Sequence, residues 1–159
     1  DVGELAFLAD ELAPHPFYTR GFIIHPNDDV SDLIRRAYQH QNAASYLLVK
    51  GESDYIAYEN QVVETVNHPS FNAMEAIGGT GDSLTGLLTV LCGAGFKAID
   101  AACLAAKVNR WTGLYANPNP ATQVAELINK IPQVLSRLLG NEHNEETHGR
   151  YPNKSEGTK

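Results

Sequence analysis

The N-terminal part of the chain begins with two stretches in which apolar residues recur at helical spacing. Residues 1–12 carry a leucine every three or four positions and are followed by Pro14, which cannot continue a helix. Residues 28–41 show the same spacing behind Asp28 and Asp29, whose carboxylates can cap the free amides of a first turn. The pattern therefore predicts two helices in this region.

A continuous apolar run and two shorter β-prone segments follow. Residues 45–50 are typical of a strand that is buried on both faces, so we expect a central strand there. Residues 55–58 and 62–66 flank a connection at residues 59–61, and this spacing predicts a β-hairpin, although Gln61 is a poor turn residue.

The C-terminal half has the pattern of three helices separated by Gly-rich and Asn-Pro-rich turns. They are expected at residues 82–94, 97–115 and 121–139, with a kink in the last one at Pro132. Residues 141–159 are almost entirely polar and predict a flexible tail, because such a segment cannot bury enough apolar surface to fold.

The composition limits the kind of protein this chain forms. With 159 residues, 43% of them hydrophobic and 19% charged, we expect one domain over residues 1–140. The net charge of −7 and the absence of a basic run argue against nucleic acid as a partner. Apolar stretches are too short to span a membrane, so we expect a cytoplasmic protein without membrane contact.

The cysteines and histidines do not suggest a metal site. Cys92 and Cys103 lie in Ala/Leu-rich stretches, where a thiol is expected to be a small buried apolar group. The six histidines are scattered and lack the spacing of metal ligands. The sequence therefore predicts no metal site made of protein ligands.

The candidate chemistry lies in the glycine-rich segment at residues 78–86, directly before a strongly apolar helix. Its glycines allow backbone N–H groups to converge, and the free amides of the first helical turn add the positive end of the helix dipole. This combination predicts an anion-binding site. The segment lacks both the Gly-Lys-Ser/Thr ending of a Walker A motif and the spacing of a dinucleotide-binding turn.

Asp82 lies where the anion is expected and could accept a proton from a hydroxyl group beside it. The amides would then stabilise the charge that develops on a transferring phosphoryl group. The alternative is that Asp82, or Thr80, only caps the helix and the glycines only form a tight turn.

The sequence of this segment, Glu75-Ala76-Ile77-Gly78-Gly79-Thr80-Gly81-Asp82-Ser83-Leu84-Thr85-Gly86, resembles the signature of the ADP/ATP-dependent NAD(P)H-hydrate dehydratase family. The strand that ends at Lys50-Gly51 and the following hairpin are similar to the elements that precede the signature in that family. The Gly3-Glu4-Leu5 helix start also resembles the family's. The resemblance implies the C-terminal part of a ribokinase-like, three-layer α/β/α domain.

The resemblance also implies roles for particular residues. Gly79, Thr80 and Gly81 would form the anion hole, Asp82 would be the catalytic base, and Lys50 with Gly51 would lie near the nucleotide. For Lys50 the alternative is a solvated lysine at the end of a strand.

The family uses ADP or ATP with Mg²⁺ to phosphorylate the hydroxyl of a small molecule, the hydrate, and then eliminates phosphate. The alternative functions are a ribokinase-like kinase of a small hydroxylated sugar or vitamin, which stops after phosphorylation, and a domain that binds nucleotide without turnover. The N-terminal strands of the family have no counterpart in this sequence, which would leave an open sheet edge. We therefore expect either a homo-oligomer or completion by a missing N-terminal segment.

Overall fold

The computed structural model describes residues 1–9, 29–69 and 77–148, with side chains up to residue 140. The predicted end of the first helix at Pro14 and residues 149–159 of the predicted tail lie outside the described residues. The elements, in chain order, are α1 (Val2–Ala9), α2 (Val30–Ala37), β1 (Tyr46–Val49), β2 (Asp54–Tyr58), β3 (Gln61–Val66), α3 (Thr80–Gly93), α4 (Ala98–Ala116), α5 (Val124–Ile128) and α6 (Ile131–His148).

The three strands form one antiparallel sheet in the order β1-β2-β3. Within the described residues β1 is therefore an edge strand, which differs from the central position that its apolar run predicted. The apolar run in β1 is explained by helices that cover both faces of the strand. Leu47 and Leu48 point to opposite faces, and each packs against a different cluster of buried residues, while Tyr46 at the start of the strand is exposed.

The predicted hairpin is present, but its turn is shorter than expected. Glu59 and Asn60 alone form the connection, with φ angles of 46° and 70°, and Gln61 already pairs with Tyr58 in the sheet. Positive φ at both central residues is the requirement of a two-residue turn that matches the twist of the strands, and asparagine tolerates it well. The weakness of Gln61 as a turn residue is therefore irrelevant.

Helices cover both faces of the sheet. On one face α1 and α2 bury Val2, Leu5 and Ile34 together with Val49 and Ala57 of the sheet. The opposite face is covered by α4. The residues that meet there are Ile56, Val66, Ala102 and Ala106. This arrangement makes the chain a mixed helix and sheet structure, as predicted.

Small side chains on α4 bring α3 close to it. Ala101 and Ala105 are fully buried and pack against Leu84 and Leu91 of α3. The connection between the two helices is only four residues long, from Ala94 to Lys97. The position of α3 is thus set mainly by α4, with Leu48 of β1 packed against the same cluster.

The last predicted helix is divided in two. Helix α5 ends at Ile128, and α6 begins at Ile131, so Pro132 lies in the first turn of a new helix instead of kinking an existing one. A proline is tolerated there because the N–H it lacks would have no partner in the helix. Helix α6 continues to His148, beyond the predicted boundary of the tail at residue 141. The flexibility of the tail stays a prediction.

A buried ion pair joins α4 to the sheet. The Nε of Arg110 on α4 donates to Oδ2 of Asp54, the first residue of β2, at 2.8 Å, and the two residues are 8% and 2% exposed. The other carboxylate oxygen, Oδ1, accepts from the N–H of Gly51 at 3.2 Å. Both oxygens of Asp54 are therefore hydrogen-bonded inside the protein.

Burial raises the pKa of Asp54 above its ordinary value, because removing the carboxylate from water outweighs the opposing effects of Arg110 and of the Gly51 N–H. The arginine is thus what allows a charged aspartate to remain at this position.

In the described part of the chain no helix is long and apolar enough to cross a membrane.

We expect Arg110→Met to lower the free energy of unfolding by about 3–5 kcal/mol near neutral pH, because it leaves the buried Asp54 without its counterion. Loss of Arg110 also raises the pKa of Asp54 further. A carboxyl group with a raised folded-state pKa favours folding at low pH, and that contribution disappears as pH rises through the folded-state pKa. The difference from wild type should therefore shrink toward about pH 4.

Urea unfolding of both proteins at several pH values measures this difference. Arg137→Met is the matched control, because Arg137 lies on α6 over the rings of Trp111 and Tyr115, away from Asp54. It should cost about 1 kcal/mol or less, with no convergence at low pH. A pH-independent loss in Arg110→Met would contradict the assignment of the effect to the Asp54 charge.

Candidate functional site

The glycine motif forms the beginning of α3. Gly79 is the N-cap residue, with φ of 92°, and as a glycine it has no side chain with which to cap the helix. The first hydrogen bond runs from the Ser83 N–H to the Gly79 carbonyl oxygen at 3.0 Å, and the Ser83 hydroxyl donates to the same oxygen. The N–H groups of Thr80, Gly81 and Asp82 precede this bond and therefore have no partner within the helix.

The side chains of the motif differ in exposure. Thr80 is buried at 5% exposure, whereas Gly81 and Asp82 are exposed. The alternative that Asp82 or Thr80 only caps the helix does not match the structure, because Gly79 is the N-cap residue. The Asp82 carboxylate is thus accessible beside the free amides of the first turn.

Space is available next to these amides. Apart from chain neighbours and the helix's own backbone, no atom of the described residues lies within 4 Å of the position that a Cβ would occupy at Gly78 or Gly81. At Gly79 the situation is the opposite, because a Cβ there would lie 3.2 Å from a methyl group of Val124. The motif is packed on the side of α5 and open at Gly78 and Gly81, which is the arrangement an anion needs to approach the backbone.

The support behind the motif comes from α4 and α5. Ile77, which precedes the glycines, packs with Leu127 of α5 in a small buried cluster, and Ala116 at the end of α4 and Val124 contact this cluster. The start of α3 is therefore held in place by apolar contacts, which do not use the amides of its first turn.

Lys50 and Gly51 lie in a separate turn that follows β1. Gly51 is tightly enclosed, because a Cβ there would lie 3.0 Å from Cγ2 of Val2 and 3.2 Å from the carbonyl oxygen of Ser53. Lys50 is half-buried. Within the described residues, no hydrogen bond or ion pair joins this turn directly to the glycine motif.

Two residues that the sequence analysis missed hold the Lys50-Gly51 turn in place. Asp54 anchors the Gly51 N–H, and Arg110 donates to the carbonyl oxygens of Gly51 and Glu52. A signal for them existed in the sequence: Arg110 is a charged residue inside a helix whose neighbouring positions are largely apolar or small. The periodicity gave no indication of its partner, which is 56 residues away.

The cysteines take no part in this site. Cys103 is half-buried, as expected for a small apolar group, and burial together with the nearby Glu64 raises the pKa of its thiol. Cys92 is exposed, so the prediction that it is buried was wrong. Among the residues with described positions, no group of three or more His, Cys, Asp or Glu side chains could hold a metal ion.

The chain belongs to the NAD(P)H-hydrate dehydratase family, a carbohydrate-kinase type of domain, whose sequence profile matches residues 12–133. This membership implies a ribokinase-like α/β fold and confirms the resemblance carried by the glycine motif.

Two curated relatives are similar to the chain. An uncharacterized protein of Methanocaldococcus jannaschii is 48% identical over 140 residues, which cover 87% of this chain and 60% of that protein. The bifunctional NAD(P)H-hydrate repair enzyme of Hyperthermus butylicus is 30% identical over 108 residues, which cover 67% of this chain and 20% of that enzyme. The chain thus spans less than two thirds of either relative. No solved structure shows significant similarity.

The geometry of Gly79 leads to a stability prediction. Gly79→Ala should lower the free energy of unfolding by about 1–2 kcal/mol, because alanine is strained at positive φ and its Cβ would press on Val124. Gly86→Ala is the control in the same helix. It has open space around the added Cβ and should stabilise the protein by about 0.5–1 kcal/mol. Thermal or urea unfolding distinguishes the two, and equal effects would contradict this account of Gly79.

Proposed function

We propose that the chain carries the phosphate-handling part of an ADP/ATP-dependent NAD(P)H-hydrate dehydratase. The observation that carries the proposal is the first turn of α3, where three free amides and an exposed carboxylate lie side by side in a family member. In the proposal Gly79, Thr80 and Gly81 cradle the phosphates and Asp82 is the catalytic base. Lys50 and Gly51 lie toward the nucleotide.

The chemistry follows from these positions. The Asp82 carboxylate accepts the proton of the hydrate's hydroxyl group, whose oxygen then forms a bond to the terminal phosphorus of the nucleotide. The bond between that phosphorus and the leaving nucleotide breaks, while the free amides of α3 stabilise the charge on the transferring group. The C–O bond of the phosphorylated hydrate then breaks. Phosphate leaves, and loss of a proton from an adjacent ring carbon restores the double bond of the nicotinamide.

The open side of the motif fits the phosphates of ADP or ATP, since among the described residues only chain neighbours and the helix's own backbone approach a Cβ position at Gly78 or Gly81 within 4 Å. Mg²⁺ would shield the phosphate charge when bound. It would be held mainly by phosphate oxygens of the nucleotide, since Mg²⁺ commonly takes only one or two carboxylates beside them. A protein site of three or more His, Cys, Asp or Glu side chains is therefore not required, and the described residues contain none.

The proposal includes the surroundings of the site. Helices on both faces of the described sheet support a three-layer α/β/α arrangement for the complete protein. The open edge of β1 in the described sheet supports pairing with a further strand, from a missing segment or from a second copy. We also propose a cytoplasmic location.

The experiment for the proposed function supplies the purified protein with NADH-hydrate, Mg²⁺ and either ATP or ADP, and follows the return of the reduced-nicotinamide absorbance. Return of absorbance that requires nucleotide is the expected result. Phosphorylation of a sugar or vitamin panel without any effect on the hydrate would favour the alternative of a small-molecule kinase. Nucleotide binding without any turnover would favour the non-catalytic alternative.

Asp82→Asn should lower kcat by about 10²- to 10⁴-fold, because asparagine keeps the size of the side chain but removes the base. Nucleotide affinity should change little or improve, since a negative charge leaves the phosphate site. Gly81→Ala is the paired variant and should weaken nucleotide binding instead, because its Cβ would enter the open space beside the amides. Steady-state kinetics and calorimetric titration measure the two effects, and unchanged turnover in Asp82→Asn would refute its catalytic role.

A further inference from the structure

Arg110 makes an unusual set of contacts for a residue in the middle of a helix. Besides the ion pair with Asp54, its guanidinium donates to three main-chain carbonyl oxygens: Gly51 at 3.2 Å, Glu52 at 2.8 Å and Pro69 at 3.4 Å. A planar guanidinium with five donors can satisfy several acceptors at once, which a lysine ammonium cannot do in the same geometry.

These contacts fix the path of the backbone at two places. Gly51 and Glu52 belong to the turn after β1, and the N–H of Gly51 is held in addition by Asp54. Pro69 follows β3 and stands eight residues before Ile77, where the glycine motif begins to pack. Arg110 therefore holds the backbone both in the turn that contains Gly51 and in the segment that follows β3.

The C-terminal end of the same helix supports the glycine motif. Ala116 contacts the cluster of Ile77 and Leu127, and it lies six residues after Arg110, which is about 9 Å along the helix axis. One rigid helix thus determines where the Lys50-Gly51 turn lies relative to the first turn of α3.

Stability alone does not account for this arrangement. A buried ion pair gains little over a well-packed apolar pair, since both charges lose their hydration. An apolar pair at positions 54 and 110 could join α4 to β2, but it could not bind the carbonyl oxygens of the turn.

We propose that Asp54 and Arg110 are positioning residues that set nucleotide affinity by holding the Lys50-Gly51 turn at a fixed place relative to the phosphate cradle of α3. This inference rests on the proposed function. A turn held in its binding conformation before the ligand arrives loses less entropy on binding, so the pair acts on affinity and not on the chemical step.

The test variant is Arg110→Lys. It retains a positive charge for Asp54 but cannot hold the three carbonyl oxygens. We expect the dissociation constants of ADP and ATP with Mg²⁺ to rise about tenfold, while kcat at saturating nucleotide changes less than about twofold. Amide hydrogen exchange at Gly51 should accelerate, and exchange within α3 should not. Arg137→Lys, in the contact with Trp111 and Tyr115, is the control and should bind nucleotide like wild type.

Asp54→Asn is the second variant. It tests the effect of the Asp54–Arg110 pair on nucleotide affinity if Arg110→Lys does not fold cooperatively. It retains an oxygen for the Gly51 N–H, so its loss of affinity should be smaller, about threefold. Wild-type affinity in a cooperatively folded Arg110→Lys, or in Asp54→Asn, would overturn the positioning role and leave the proposed function intact. Absence of nucleotide binding by the wild-type protein would instead overturn the proposed function and this inference together.

Discussion

The buried charge of Asp54 is the constraint on which the rest of the structure depends. A carboxylate at 2% exposure needs a counterion, and Arg110 can reach it only if α4 crosses the sheet beside the start of β2. Once α4 is fixed in this way, its buried alanines determine where α3 packs, and its last turn supports the cluster behind the glycine motif. The position of the free amides of α3 is thus linked to an ion pair that lies on a different element.

The elements that the sequence predicted well are those with local causes. The helices at α2, α3 and α4 follow from apolar side chains in steps of three and four, and the observed starts lie within two residues of the predicted ones. The predictions of the helix kink and of the hairpin turn were wrong because the effect of a residue depends on its position within the helix or turn. Pro132 disrupts a helix interior but not a first turn, and Asn60 with Glu59 completes a turn without any help from Gln61.

The site was only partly predictable, for the same reason. The free amides at Thr80 and Gly81 follow from glycines placed directly before an apolar helix, so a short segment of sequence contains the information. The pairing of Asp54 with Arg110 spans 56 residues and depends on how α4 lies across the sheet. Periodicity describes one element at a time and has no access to such a contact. The edge position of β1 among the described strands was missed likewise, because its apolar residues are covered by helices on two faces.

The contacts of Arg110 with main-chain oxygens also bear on how this protein can change during evolution. Every amino acid contributes the same carbonyl group, so the arginine recognises the course of the chain at Gly51 and Glu52 and not the identity of the side chains there. The exposed side chain of Glu52 can therefore be replaced without loss of this contact. Gly51 is more constrained, because a Cβ there would lie 3.0 Å from Cγ2 of Val2 and 3.2 Å from the carbonyl oxygen of Ser53. Substitutions at this turn are therefore limited by the shape of the backbone, which is held by a residue that is distant in the sequence.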